Sequence, residues 1–254
     1  MQYRAPLEQF EVYDLIGSSN SFIRAVTGFY FTNSVFFVLL AFILLFIFVD
    51  QIAIYKRIVP TKVQLFVETI FNFTTTLVRE NVGVLNLNNV ITIIWFLFIT
   101  LLTLNLLGMV PYSFTVTSHF IITLTLSLSF FIGLNIVGLR KHGSHMIGLF
   151  LPQGAPKQLL PLLFVIEIIS YLARIFSLAI RLFANLMSGH TLLKILAGFA
   201  WLMFLNGGVA TFGALFPFLI IFLVTGLELA IGALQAYVFC MLLCLYYNDV
   251  IHLH

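Results

Sequence analysis

Seven ionisable residues, Glu167, Arg174, Arg181, His190, Lys194, Glu228 and Asp249, lie within or at the edge of the two longest apolar stretches of the sequence. A charge held at bilayer depth costs at least ~2.5–3.5 kcal/mol on insertion scales. Such residues are functional candidates by default. His, Glu and Asp can relay protons, whereas Arg is not deprotonated in proteins and instead repels a proton and attracts a carboxylate. Protonatable groups on both sides of Arg181 suit proton transfer by two half-paths that do not meet. A mobile carboxylate on a partner would then carry protons past Arg181, since no carboxylate of this chain is free to travel that way. Lys194 and Arg174 are equally compatible with snorkelling to the membrane interface.

Helical phase orders these residues. With ~100° per residue, Glu167, Ser170, Arg174, Ser177, Arg181, Asn185 and Ser188 fall in one stripe about 80° wide, and His190 points to the opposite side. Glu228 and Gln235, and more loosely Tyr246 and Asp249, share a face of the second stretch. In an antiparallel hairpin facing residues have a fixed midpoint. The pairs His190–Glu228, Arg181–Gln235 and Glu167–Asp249 are centred on positions 209, 208 and 208, at the Asn206-Gly207-Gly208 turn signal. Three levels result, with His190 and Glu228 nearest the turn.

The elements that must position them are helices in lipid. Of 254 residues 61% are hydrophobic and 8% charged, with 29 Phe spread along the chain, more apolar surface than a soluble domain can cover. The fold class expected is an all-α polytopic membrane protein: upright transmembrane helices, one amphipathic interfacial helix and a long, strongly tilted antiparallel helix hairpin. Residues 1–254 read as a single membrane domain. Within it, 1–33 is an N-terminal segment, 34–54 span one, 61–81 the amphipathic helix and 90–139 two spans around a Pro111-Tyr112-Ser113 turn. An inside loop follows over 140–161, then the hairpin over 162–247 with its turn at 206–208. The two runs of the hairpin are each about 40 residues, or ~60 Å as helices, twice the ~30 Å hydrocarbon thickness. Each is therefore two spans or one tilted helix, and the absence of a breaker within the first run favours tilt. Lys56, Arg57 and Lys62, then Arg140 and Lys141, place the N-terminus outside and the 140–161 loop inside.

Charge and special residues exclude several functions. The net charge of +3 is carried in short loops, not in a stripe, so no nucleic-acid surface is expected. Cys240 and Cys244 have no metal-ligand spacing and read as packing residues. A haem protein needs paired axial ligands, and among the six His only His190 is deep in an apolar run. A solute transporter would favour repeated halves, which are not visible. The acidic residues Glu8, Glu11 and Asp14 are unlike a cleavable mitochondrial address, and the sequence permits an organelle that makes the chain itself without requiring one.

The run Ser177-Leu-Ala-Ile-Arg181-Leu-Phe-Ala-Asn185-Leu-Met-Ser-Gly189-His190 resembles the signature of subunit a of the F-type ATP synthases. Glu228-Leu-Ala-Ile-Gly-Ala-Leu-Gln235-Ala-Tyr-Val-Phe, Pro6-Leu-Glu-Gln-Phe-Glu11 and the run from Asn105 to His119 are similar to the same family. The resemblance implies a stator subunit, not an enzyme by itself, that holds two tilted helices against a rotating ring of c subunits. Arg181 then matches the essential arginine facing the ring carboxylate. His190 and Glu228 match the outer proton path, Glu167 and Asp249 the inner one, and Asn185 and Gln235 polar neighbours of the arginine. The implied partners are the c-ring, peripheral-stalk and other membrane subunits, and lipid. No cofactor and no native metal are implied, although His190 and Glu228 could form an inhibitory Zn²⁺ site. His190 with Glu228 resembles mitochondrial and α-proteobacterial members, which points to the mitochondrial inner membrane, with a bacterial plasma membrane as the alternative.

Overall fold

A computed structural model of the chain describes residues 6–14, 32–54, 61–82, 87–110, 113–143, 160–205 and 207–251. The Pro111-Tyr112 turn, Lys56, Arg57 and most of the 140–161 loop lie outside these residues. A 3₁₀ turn, Pro6–Phe10, precedes helices α1 (Asn33–Ile54), α2 (Lys62–Val82) and α3 (Leu87–Gly108). A second 3₁₀ turn, Val116–Ser118, leads to α4 (Phe120–His142), α5 (Leu160–Leu205), the one-turn α6 (Val209–Gly213) and α7 (Leu215–Ile251).

The chain is an all-α polytopic membrane protein. Four helices are long and apolar enough to cross a membrane: Val90–Gly108, Phe120–His142, Leu162–Leu205 and Thr211–Ile251, with a shorter apolar stretch at Asn33–Val49. Their apolar character demands internal satisfaction of polar groups, because lipid offers no hydrogen bonds. The hydroxyls of Thr103, Thr123, Thr125, Ser127 and Ser129 accordingly donate to carbonyls three or four residues back, at 2.6–3.0 Å.

Local sequence sets the helix ends. Thr61 accepts the Gln64 N–H at 3.4 Å, an N-cap ahead of α2, and the Gln64 amide then bonds Glu68 at 2.9 Å. Thr32 and Asn33 hold the first turn of α1 in the same way. Arg140, Lys141 and His142 form the last turn of α4, where cations complement the helix dipole. Past α5, Gly207 and Gly208 adopt φ of 65° and 64°, a left-handed conformation that L side chains rarely tolerate. The chain can therefore reverse at that point. Pro217 is the third residue of α7, where its missing N–H removes no helical bond.

Contacts group the chain into two compact units. The first comprises Met1–Val49, Thr100–His119 and Phe183–Leu234. Its interior includes Leu101, Asn105, Phe114, Val116, Leu186 and Ala200, and Phe37 meets Phe114 at 6.4 Å. The Asn105 amide donates to the Gly232 carbonyl at 2.9 Å, tying α3 to α7. The second unit comprises Asp50–Ile99, Phe120–Leu182 and Gln235–His254. Here Phe73 packs on Phe98 and Tyr237, Phe130 on Phe239, and Phe131 on Tyr171. Cys240 and Cys244 are fully buried free thiols in this core, facing neighbouring helices.

Candidate functional site

Helices α5 and α7 carry every ionisable residue singled out above. Each is one continuous helix, of 46 and 37 residues, or about 69 and 56 Å at 1.5 Å per residue.

In the first unit, Glu228 is buried at 6% exposure, and its carboxylate oxygens accept no hydrogen bond from the described residues. Opposite it on α5 stands Gly189, where an added Cβ would lie 2.8 Å from the Glu228 carboxyl carbon and would overlap Oε1. With a side chain at position 189, that carboxylate, the far end of a flexible side chain, would have to swing aside. The next residue, His190, is half-buried, and its Nε2 lacks a hydrogen-bond partner among the described residues. His190 and Glu228 therefore share no hydrogen bond. His190 instead forms part of the wall of a cavity of about 990 Å³, with Lys194, Ser113, Thr225 and Gln9 as its other polar lining residues. Asn185 is half-buried on α5.

In the second unit, Arg174 occupies the place that sequence left open between snorkelling and pairing. Its guanidinium lies 3.9 Å from Glu167 and 3.5 Å from Asp249, and 5.4 Å over the Tyr246 ring. Glu167 and Asp249 thus meet through Arg174. One cation between two carboxylates lowers the cost of holding all three at membrane depth. A turn away, Tyr171 donates to Asn135 at 2.6 Å. Arg181 is half-buried, and among the described residues its guanidinium has neither hydrogen bond nor ion pair. Gln235 is buried at 7% exposure and makes no hydrogen bond to it. The stripe on α5 lies at the border of the covered face: Glu167, Arg174, Arg181 and Asn185 are half-buried, and Ser170, Ser177 and Ser188 are exposed.

Three contributors escaped the reading of the sequence. Gly189 matters by the side chain it lacks, and Tyr171 pairs with a residue on another helix. Gln9 reaches its cavity from outside the apolar runs. Gly189 and Gln9 each lie in a run that carries the family resemblance, which marked the run but not the residue.

These features define a class: a polytopic helical membrane protein whose long helices present unsatisfied ionisable groups at membrane depth. The family model described as ATP synthase A chain matches residues 33–248. The chain is 49% identical over 253 residues to ATP synthase subunit a of Marchantia polymorpha, covering 98% of this chain and 99% of that one. It is 45% identical over 251 residues to ATP synthase subunit a of Chondrus crispus, covering 98% and 97%. With that of Oenothera berteroana it shares 46% identity over 262 residues, covering 100% and 91%. The chain belongs to the ATP synthase subunit a family, a proton-translocating membrane component of the ATP synthase complex, and is not an enzyme on its own. Relatives from plants and algae and the membrane-spanning helices fit the mitochondrial inner membrane.

Proposed function

We propose that the chain is the stator of the rotary motor, supplying two offset aqueous half-channels to and from the carboxylates of a rotating c-ring. Arg181 separates them. The observation that carries this reading is the half-buried Arg181 guanidinium, which among the described residues has neither hydrogen bond nor ion pair, on a largely apolar helix. A permanent charge left unpaired at membrane depth is expensive unless a partner supplies its counter-ion. A ring carboxylate meets that need, and it must lose its proton to do so.

In this mechanism His190 and Glu228 take up protons from the outer side, through the cavity that His190 lines. The proton reaches a ring carboxylate, which becomes neutral and can turn away into lipid. After nearly a full rotation the carboxylate comes to Glu167 and Asp249, releases its proton toward the inner side and pairs with Arg181. Asn185 and Gln235 keep the surroundings of the arginine polar without titrating. The tilt of α5 and α7 lays both paths along one surface of the ring, and α2 lies in the membrane interface.

Replacing Arg181 by Ala tests this reading. Coupled ATP synthesis should fall to background, and Arg181→Lys should fail as well, because a flexible ammonium of tunable pKa does not replace a planar, permanently charged guanidinium. Normal proton-driven synthesis in either variant would overturn the mechanism.

A further inference from the structure

The 3₁₀ turn Pro6–Phe10 belongs to no membrane span, yet it is fixed with care. Asn33, the first residue of α1, donates its backbone N–H to the Tyr13 carbonyl at 3.0 Å and its amide to the Glu11 carbonyl at 3.1 Å, and accepts the Tyr13 N–H at 3.3 Å. Asp14 and Thr32 form an antiparallel bridge beside it. Glu11 is engaged by the Tyr13 hydroxyl. This clamp holds Gln9 in the wall of the cavity that also contains His190 and Lys194.

The chemistry of that wall is uneven. Ser113 and Thr225 give their hydroxyl protons to the carbonyls of Leu107 and Phe222 at 2.7 and 2.8 Å, so toward the cavity they offer acceptors. Gln9 Nε2 is a buried donor without a partner among the described residues. A buried donor beside a cavity this large is the situation that an ordered water resolves, and the broad torsion of a terminal amide lets it turn toward one. A carboxamide does not itself titrate in this range. It can fix the position and orientation of a water that does carry the proton.

Resting on the two-path reading above, we propose that the N-terminal turn is a wall of the outer proton vestibule and that Gln9 is a positioning residue there, holding through its amide the ordered water from which His190 takes protons. The test uses the intact ATP synthase in sealed membranes of known orientation. Gln9→Met keeps the length of the side chain and removes its polarity. It should slow proton-driven synthesis by roughly three- to tenfold, the range that one hydrogen bond carries, at an unchanged amount of assembled complex. Gln9→Asn, which keeps the amide donor on a side chain one methylene shorter, should recover part of the rate, a rescue that a merely structural role would not give. If Gln9→Met does not assemble, Gln9→Cys decides: a charged methanethiosulfonate added from the outer side to the assembled complex should label the new thiol and stop proton flow. A normal rate in Gln9→Met, or a Gln9→Cys complex that is not labelled or is labelled without effect, overturns the inference. His190→Cys, treated in parallel, keeps the two ideas apart. If it is labelled from the outer side and Gln9→Cys is not, only the role of Gln9 falls; if it is labelled solely from the inner side, the outer path itself falls.

Discussion

Gly189 gives the sharpest consequence at the scale of a residue. An added methyl group would overlap the Glu228 carboxylate, so Gly189→Ala must push that side chain or the two helices apart. The cost is small where the flexible end of Glu228 can turn aside and rises to about 1–3 kcal/mol where its surroundings hold it in place. The expected result is lower proton-driven synthesis, measured in assembled complex, and partial recovery when Glu228→Asp shortens the carboxylate by one methylene in the double variant. Additive losses would show that Gly189 does not act through Glu228. Arg174 bears on the other pair. Arg174→Ala leaves Glu167 and Asp249 without their shared counter-charge. If Glu167 and Asp249 form the proposed inner path, proton-driven synthesis should slow, with Arg174→Lys intermediate because a single ammonium replaces a forked donor.

At the scale of the element, α7 is a common partner within each unit. In the first, a Cβ on Gly232 would stand 3.5 Å from that of Asn105, inside the range of disulfide geometry. Cysteines at positions 105 and 232 should therefore form a bond on mild oxidation, seen as a mobility shift that reductant reverses. Cysteines near Arg181 and Gln235 on facing sides of α5 and α7 should also cross-link, while pairs offset by two turns should not. A pattern scattered over registers would mean that the shared midpoint near Gly208 is accidental. Within the second unit, helical phase on α5 fixes the spacing of Glu167, Arg174 and Arg181.

At the scale of the whole molecule the question is which aqueous phase reaches which residue. Under the proposed topology a small hydrophilic thiol reagent should reach cysteines placed near His190 or Glu228 only from outside. Those near Glu167 or Asp249 should react only from inside. Entry of reagent to both sets from one face would mean a continuous pore, which could not sustain a proton gradient. Zn²⁺ added outside should inhibit if a neutral imidazole and a carboxylate can share it, and His190→Ala should then relieve most of the inhibition.

The sequence by itself determined the helices, the reversal at Gly207-Gly208 and the membership in the family. These depend on local properties: apolar length, a 3.6-residue period, and glycines free to take positive φ. It also determined that Arg181, Glu167 and Asn185 share one stripe, because phase along a single helix needs no knowledge of neighbours. The tertiary structure decided what those residues meet. Whether Arg174 reaches lipid headgroups or carboxylates depends on how α5 and α7 face each other at its level, and a long flexible side chain serves either outcome. The fit of Glu228 against Gly189, the bond from Asn105 to Gly232 and the approach of Gln9 to a cavity lined by His190 join residues 39, 127 and 181 positions apart. No periodicity encodes such distances; the close packing of particular helix faces does.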